Sequence, residues 1–187
     1  LRIRAERLRR GWRLIDLAYA ANVPFVAKAA PDGHTLLLVS QSVIAVSPVL
    51  NRITTFDPMR DFTGVALFGA APLVLVVHPA NKANSIQDVI ALAKARPGEL
   101  NFGSGGVGTT PYMAGTLLSL MTGIKLTSVP FQGEQASMTE IIGGRLDMMF
   151  GNAAAALPHM KAGRLRGLAV TSPARVDIVP GMPTVAE

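Results

Sequence analysis

The sequence contains no cysteine, which excludes disulfide bonds and metal sites built on thiolates. It has no run of 18 apolar residues, so it predicts no membrane-spanning helix. The three histidines, His34, His78 and His159, show no metal-ligand spacing. The motifs G-x-S-x-G and H-E-x-x-H are both absent. The sequence therefore predicts no metal site and no cofactor, and it gives little support to catalysis.

The net charge of +6 is concentrated at the start of the chain. Residues 1–13 contain six arginines and one glutamate, so the rest of the chain is nearly neutral. Nucleic-acid binding would instead need basic residues spread over a folded face, with aromatic residues between them. We therefore expect no nucleic-acid partner. The apolar segment after the arginines is short and contains Asp16, so we interpret residues 1–22 as a helix rather than a convincing signal peptide.

The composition is that of a globular α/β protein with many turns. Of the 187 residues, 49% are apolar and only 5% aromatic, and 18 glycines and 13 prolines are present. Predicted strands alternate with predicted helices from residue 72 onwards, which indicates right-handed crossovers and a mostly parallel sheet. The strands are predicted at 73–78, 100–102, 125–131, 145–150 and 166–170, and the helices at 86–96, 110–121, 134–142 and up to 161.

Two further strands are predicted before this region, at residues 34–39 and 65–68. Ser40, Gln41 and Ser42 follow the first of them. Ligands bind at the carboxyl ends of strands in open α/β sheets, so these side chains are candidate hydrogen-bond partners. An ordinary loop is an equally good interpretation.

A glycine-rich turn, residues 103–110 (G-S-G-G-V-G-T-T), joins a predicted strand to a predicted helix. Glycine allows a tight turn and a close approach of the backbone to a ligand. The start of a helix offers unpaired N–H groups and the positive end of the helix dipole, both of which favour an anion. Thr109 or Thr110 can cap the helix, and Pro111 suits its first turn. The turn is therefore a candidate carboxylate or phosphate site.

Two other glycine-rich motifs match this turn only in part. Gly103, Gly105 and Gly108 satisfy the dinucleotide pattern G-x-G-x-x-G, but the acidic residue expected at the end of the next strand is missing. Thr109 occupies the position of the P-loop lysine, which argues against a nucleotide triphosphate site. A glycine-rich turn that binds nothing also remains possible.

Two more loops follow predicted strands at the same edge of the sheet, residues 131–133 and 151–152. Because the carboxyl ends of parallel strands meet at one edge, we expect all three loops to lie together. Three adjacent loops make a pocket for a small anion more credible than one.

Segments throughout residues 23–187 resemble the extracytoplasmic solute receptors of tripartite tricarboxylate transporters, the Bug-type receptors. The matching segments are A-P-D-G-H-T-L-L at 30–37, F-D-P at 56–58, P-L-V-L-V-V at 72–77, N-F-G-S at 101–104, G-V-G-T at 106–109, V-P-F at 129–131, L-D-M-M-F at 146–150, L-P-H at 157–159, L-A-V-T-S at 168–172 and P-T-V at 183–185.

The resemblance implies a type II periplasmic-binding-protein fold, in which two lobes clamp a small carboxylate. It implies a periplasmic monomer that is not an enzyme and that works with the membrane components of a transporter. The implied binding residues are Ser40, Gln41 and Ser42 in one lobe, and Ser104, Gly105, Gly106, Val107, Gly108, Thr109, Thr110, Phe131 and Asn152 in the other.

The sequence departs from the family pattern at both ends. The strand and proline/glycine loop with which the family begins are not found in residues 1–22, and the family continues beyond the last residues of this chain. We therefore expect a partial first lobe over residues 1–71, a second lobe over 72–171 and a return to the first lobe over 172–187. Such a truncated receptor is expected to bind its carboxylate weakly or not at all. The alternatives are a nucleotide-dependent α/β enzyme that uses residues 103–108 and a receptor fragment that does not bind.

Overall fold

The computed structural model describes residues 13–14, 23–51, 55–67 and 69–187. Its contacts divide the chain into two compact units, Leu1–Leu67 and Phe68–Glu187. The predicted lobe boundaries after residues 71 and 171 stay a prediction.

The first unit contains short elements. Two parallel strands of two residues each pair with one another, and the helices have four or five residues. They are β1 (Arg13–Leu14), α1 (Val23–Ala27), β2 (Thr35–Leu36), a π-helical segment (Ser42–Val46) that continues into α2 (Ser47–Asn51), and α3 (Pro58–Asp61).

Three predictions for this unit are wrong. The strand predicted at 34–39 is limited to β2, and its neighbour Leu38 is 41% exposed. Residues 65–67 form no strand and are exposed, and residue 68 lies outside the described residues. Residues 13–14 are a strand within the predicted helix 1–22, most of which lies outside the described residues. The physical reason is that an apolar run forms a strand only where neighbouring strands satisfy its backbone.

The second unit contains the elements that its sequence predicts, with small shifts at their ends. They are β3 (Leu73–Val77), α4 (Ile86–Ala95), β4 (Asn101–Ser104), α5 (Thr110–Thr122), β5 (Thr127–Pro130), α6 (Glu134–Ile142), β6 (Met148–Asn152), α7 (Ala153–Lys161) and β7 (Arg166–Val170). The predicted capping box of Ser85 and Asp88 begins α4, and Gly123 ends α5 with a φ of 67°.

The five strands form one sheet in the order β5-β4-β6-β3-β7. Strand β4 is parallel to both β5 and β6, whereas β3 is antiparallel to both β6 and β7. The prediction of a mostly parallel sheet is confirmed, with β3 as the single reversed strand. Because β3 is reversed, α4 follows a strand end at the opposite edge from the ends of β4, β5 and β6.

Helices cover both faces of this sheet. Apolar residues of α4 and α5 pack on one face with Phe102 and Phe150. Residues of α6 and α7 pack on the other face with Val74, Val76 and Met149. Every residue of β3 is buried, as expected for a strand covered on both faces.

The segment after β7 runs back beside it. Val170 donates its N–H to the Pro183 carbonyl at 2.9 Å and accepts the Val185 N–H at 2.8 Å. Thr184 is buried and forms a parallel bridge with Val170. Among the described helices, none has the length and hydrophobicity to cross a membrane.

Candidate functional site

Three predicted binding loops lie side by side because of the strand order. In the register, Ser104 of β4 faces Pro130 of β5, and Gly103 faces Met149 of β6. The Phe131 N–H donates to the Ser104 carbonyl at 2.8 Å and continues the pairing past the strand end. The glycine turn therefore leaves the sheet between the loop that begins at Phe131 and the end of β6. The prediction of a loop at residues 151–152 is wrong, because both residues belong to β6, which leads directly into α7. We call this edge of the second unit the carboxyl rim.

Hydrogen bonds within the glycine turn hold its shape. Ser104 is 1% exposed, and its hydroxyl oxygen accepts the Gly106 N–H at 3.3 Å. The Thr109 hydroxyl donates to the Gly106 carbonyl at 2.7 Å. Gly106 and Gly108 have φ angles of 102° and 86°, which side chains other than glycine rarely adopt. The backbone conformation of the turn thus depends on glycine at both positions.

The start of α5 carries no acidic residue in its first turn. Thr109 is its N-cap residue in the extended conformation, but the Thr109 side chain makes no capping bond. The prediction that Thr109 or Thr110 caps the helix is therefore wrong for Thr109. Its hydroxyl is turned back to the glycine turn instead. The positive end of the helix dipole is therefore not offset by a carboxylate of the helix itself.

A second feature of the rim, Glu134, was missed by the sequence analysis. Glu134 begins α6, directly after Gly133, whose φ is 94°. One of its carboxylate oxygens accepts the Asn152 N–H at 2.5 Å, and the other accepts the Asn152 side-chain amide. The sequence already showed an acidic residue at the first position of the predicted helix 134–142. Its hydrogen-bond partner, Asn152, could be identified only from the strand order.

The remaining candidates have different surroundings. Val107, within the turn, is 71% exposed, whereas Phe131 is half-buried against the α6 and α7 core. Ser40, Gln41 and Ser42 belong to the first unit. The Ser40 carbonyl accepts N–H groups of the helical segment that follows, from Val43 at 3.1 Å and from Ile44 at 3.2 Å.

A cavity of about 350 Å³ lies at the opposite edge of the sheet. Its lining includes the start of α4, from Asn84 to Gln87, and the segment that runs back beside β7. We do not assign the binding site to it, because the start of α4 is already capped by Ser85 and Asp88. Among the described residues, no cluster of histidine, aspartate and glutamate could hold a metal ion.

Comparison with known proteins identifies close similarities. Protein BugT of Bordetella pertussis is 36% identical over 162 residues, which are 86% of this chain and 50% of that protein. The UPF0065 protein in the tcbD-tcbE intergenic region of Pseudomonas sp. strain P51 is 35% identical over 87% of this chain and 48% of its own length. The chain thus spans about half the length of the curated relatives it matches.

Solved structures confirm the predicted fold. The structure of R. palustris Rpa4515 with adipate has a TM-score of 0.80 and 31% identity, over 89% of this chain and 56% of that chain. MatC from Rhodopseudomonas palustris with bound malate has a TM-score of 0.75 and 25% identity, over 91% of this chain and 58% of that chain. The family model described as the tripartite tricarboxylate transporter family receptor matches residues 20–187. The chain therefore belongs to the tripartite tricarboxylate transporter receptor family.

Proposed function

We propose that this chain is part of a solute receptor that binds a small carboxylate at the carboxyl rim. The observation that carries the proposal is the start of α5, where a glycine turn leads into a helix that has no acid in its first turn and whose N-cap side chain, Thr109, makes no capping bond. The dipole at such a helix start is equivalent to roughly half a positive charge. A ligand carboxylate would take the place that a capping side chain takes elsewhere.

In this proposal the binding residues of the second unit are residues 104–110, Phe131 and Asn152. A role of residues 40–42 in binding stays a prediction. Backbone N–H groups and hydroxyls would bind the carboxylate without an arginine. The ligands named with two similar structures, adipate and malate, are both carboxylates, which supports this ligand class.

The complete receptor would act outside the cytoplasm as a monomer. It would deliver its ligand to the membrane components of a tripartite transporter, as the description of the matching family suggests. Capture and release of a solute need no bond-breaking chemistry, so we propose no enzymatic activity.

The test is an NMR titration of the 187-residue chain with malate, adipate, other small carboxylates, NAD and ATP. NMR detects weak binding through shifts of individual amide signals, so it does not require tight affinity. Carboxylates are expected to shift the amide signals of residues 104–110. Shifts caused by NAD or ATP but by no carboxylate would instead favour the nucleotide-dependent alternative.

Glycine substitutions test the role of the turn directly. Gly106→Val and Gly108→Val each place a side chain at positive φ, which costs about 1–2 kcal/mol and changes the direction of the turn's N–H groups. Gly69→Val is the matched control, because a Cβ there meets nothing within 4 Å and φ is not positive. We expect weaker carboxylate binding in the two turn variants only. Unchanged binding in both would remove the turn from the site.

A further inference from the structure

We infer that the rim selects a carboxylate that also carries a hydrogen-bond donor, above all a protonated amine, over a ligand with a second carboxylate. The inference rests on the proposed function and concerns Glu134 and Asn152. It follows from a difference in polarity between two parts of the same rim.

The first part of the rim offers hydrogen-bond donors. The positive end of the α5 dipole lies at the glycine turn, and α5 has no acid in its first turn. This part suits the ligand carboxylate.

The second part of the rim offers acceptors and negative charge. Glu134 follows β5, yet both of its carboxylate oxygens accept bonds from Asn152 at the end of β6. Because β4 lies between β5 and β6, this pair of side chains spans the end of the strand from which the glycine turn departs. Glu134 is half-buried, and a Cβ on Gly151 would lie 3.4 Å from its Oε1. The carboxylate is therefore held close to the strand ends.

The bond to Glu134 also determines which end of the Asn152 amide faces away from it. An ionised carboxylate only accepts hydrogen bonds, so the Asn152 Nδ2 must face Glu134. The amide oxygen Oδ1 is then the end that remains for a ligand. Asn152 thus offers an acceptor, in agreement with the charge of Glu134 beside it.

Glu134 forms no ion pair with a basic residue within the described part of the chain. The ion pairs found there join other residues, including Glu140 with Arg145 on the far end of the same helix. A second ligand carboxylate near Glu134 would meet a like charge. A protonated amine or another donor would meet a carboxylate and an amide oxygen.

The test compares 4-aminobutanoate with glutarate, which share a carboxylate and three methylene groups and differ in the second charged group. The 187-residue chain is titrated with each ligand and the affinities are expressed as a ratio. We expect 4-aminobutanoate to bind at least about tenfold more tightly, since one charge contact near a protein surface is worth that factor or more. Raising the salt concentration is expected to lower this ratio, because salt screens the charge of Glu134.

Two variants separate the charge of Glu134 from its structural contact. Glu134→Gln keeps the shape and an oxygen for the Asn152 N–H, and is expected to bring the ratio close to one. Glu140→Gln removes the same charge from the same helix, where Glu140 pairs with Arg145, and is expected to leave the ratio unchanged. A purely structural role of Glu134 would weaken both ligands equally and leave the ratio as it is.

The outcomes distinguish this inference from the proposed function. Carboxylate binding with a preference for glutarate, or with a ratio that Glu134→Gln does not change, would overturn the inference and leave the receptor proposal intact. Shifts of the rim amide signals by NAD or ATP but by no carboxylate would overturn the receptor proposal and the inference with it.

Discussion

Helices α4 and α5 begin in different ways, although both pack on the same face of the sheet. At the start of α4, the Ser85 hydroxyl oxygen accepts the Asp88 N–H at 3.1 Å, and Asp88 accepts the N–H groups of Ser85 and Asn84. At the start of α5 the Thr109 side chain makes no capping bond and no acid lies in the first turn. The start of α4 is thus stabilised by its own carboxylate, whereas the start of α5 at the proposed site has none.

The position of the two starts in the sheet agrees with this difference. Helix α4 follows the reversed strand β3, so it begins at the edge opposite to the carboxyl rim. Arg166 and Asn81 bind the loop before α4 to this opposite edge, since Arg166 donates to the Ala83 carbonyl at 2.8 Å and Asn81 donates to the Asp147 carbonyl at 3.2 Å. The following substitutions test whether this difference between the two helix starts determines where an anion binds.

The largest effect is expected where α5 rests on the sheet. A Cβ on Gly115 would lie only 2.5 Å from the ring of Phe102, which is 3% exposed. Gly115→Val would therefore push α5 away from β4 and lower the free energy of unfolding by about 3 kcal/mol, as over-packing of a buried contact does. Urea denaturation measures this change.

The matched control for Gly115→Val is Ala91→Val on the exposed side of α4. It introduces the same side chain into a helix without a buried contact, so its cost should stay within about 0.7 kcal/mol, the range of helix propensity. An equal loss of stability in the two variants would show that α5 does not pack closely against Phe102.

The second-largest effect is expected when the start of α5 is given a carboxylate of its own, as the start of α4 has. Thr109 has the extended conformation of an N-cap, with φ of −74° and ψ of 153°, so Thr109→Asp can cap α5 with its own carboxylate. We expect the free energy of unfolding to rise by up to about 1 kcal/mol. Carboxylate binding should fall at least about tenfold, because a like charge then occupies the anion position. Calorimetric denaturation and NMR titration measure the two quantities.

Thr109→Asn is the control, since asparagine caps about as well as aspartate but carries no charge. Its loss of carboxylate affinity should be clearly smaller than that of Thr109→Asp. If Thr109→Asp bound carboxylates as well as the wild type does, the start of α5 would not be the anion site.

Features that depend on neighbouring residues along the chain could be predicted from the sequence. The run Leu73–Val77 is entirely apolar and forms a fully buried strand, and Ser85 with Asp88 forms the predicted capping box. Gly106 and Gly108 lie in a turn that requires positive φ at both positions. In each case the physical cause lies within a few residues of the position predicted.

Features that depend on distant residues could not be predicted in this way. The reversed direction of β3 depends on which strands lie beside it, and the sequence pattern of β3 is the same in either direction. The contact of Glu134 with Asn152 joins residues 18 positions apart, and it exists because β5 and β6 flank the same strand. Residues 34–39 show that a strand-forming sequence alone is not enough, since only two residues of this segment pair with another strand.

A smaller loss of stability is expected when the capping hydroxyl of α4 is removed. Ser85→Ala removes the oxygen that accepts the Asp88 N–H and should lower the free energy of unfolding by about 1 kcal/mol. Opening this cap should not create a carboxylate site, because Asp88 still places a negative charge in the first turn. Urea denaturation gives the first result and NMR titration the second. New amide shifts around Ser85 with added carboxylate would show that any uncapped helix start of this protein binds anions.

The smallest effect is a pH dependence that α4 has and α5 lacks. The pKa of Asp88 is held below its ordinary value, first by the hydrogen bond from the Asn84 N–H and then by that from Ser85. The ionised form is therefore favoured in the folded state, and the stabilisation that it supplies is present above the ordinary pKa of aspartate and lost as pH falls through the lowered pKa. Asp88→Asn should thus lower stability at neutral pH and have less effect at acid pH, as pH falls through the lowered pKa and the wild-type carboxylate is protonated. Urea denaturation at both pH values checks this.

In Thr109→Asp the same acid-dependent loss of stability should arise at α5, because that helix then also depends on its own carboxylate. A stability difference between Asp88→Asn and the wild type that stays constant from neutral to acid pH would mean that the charge of Asp88 does not stabilise the start of α4.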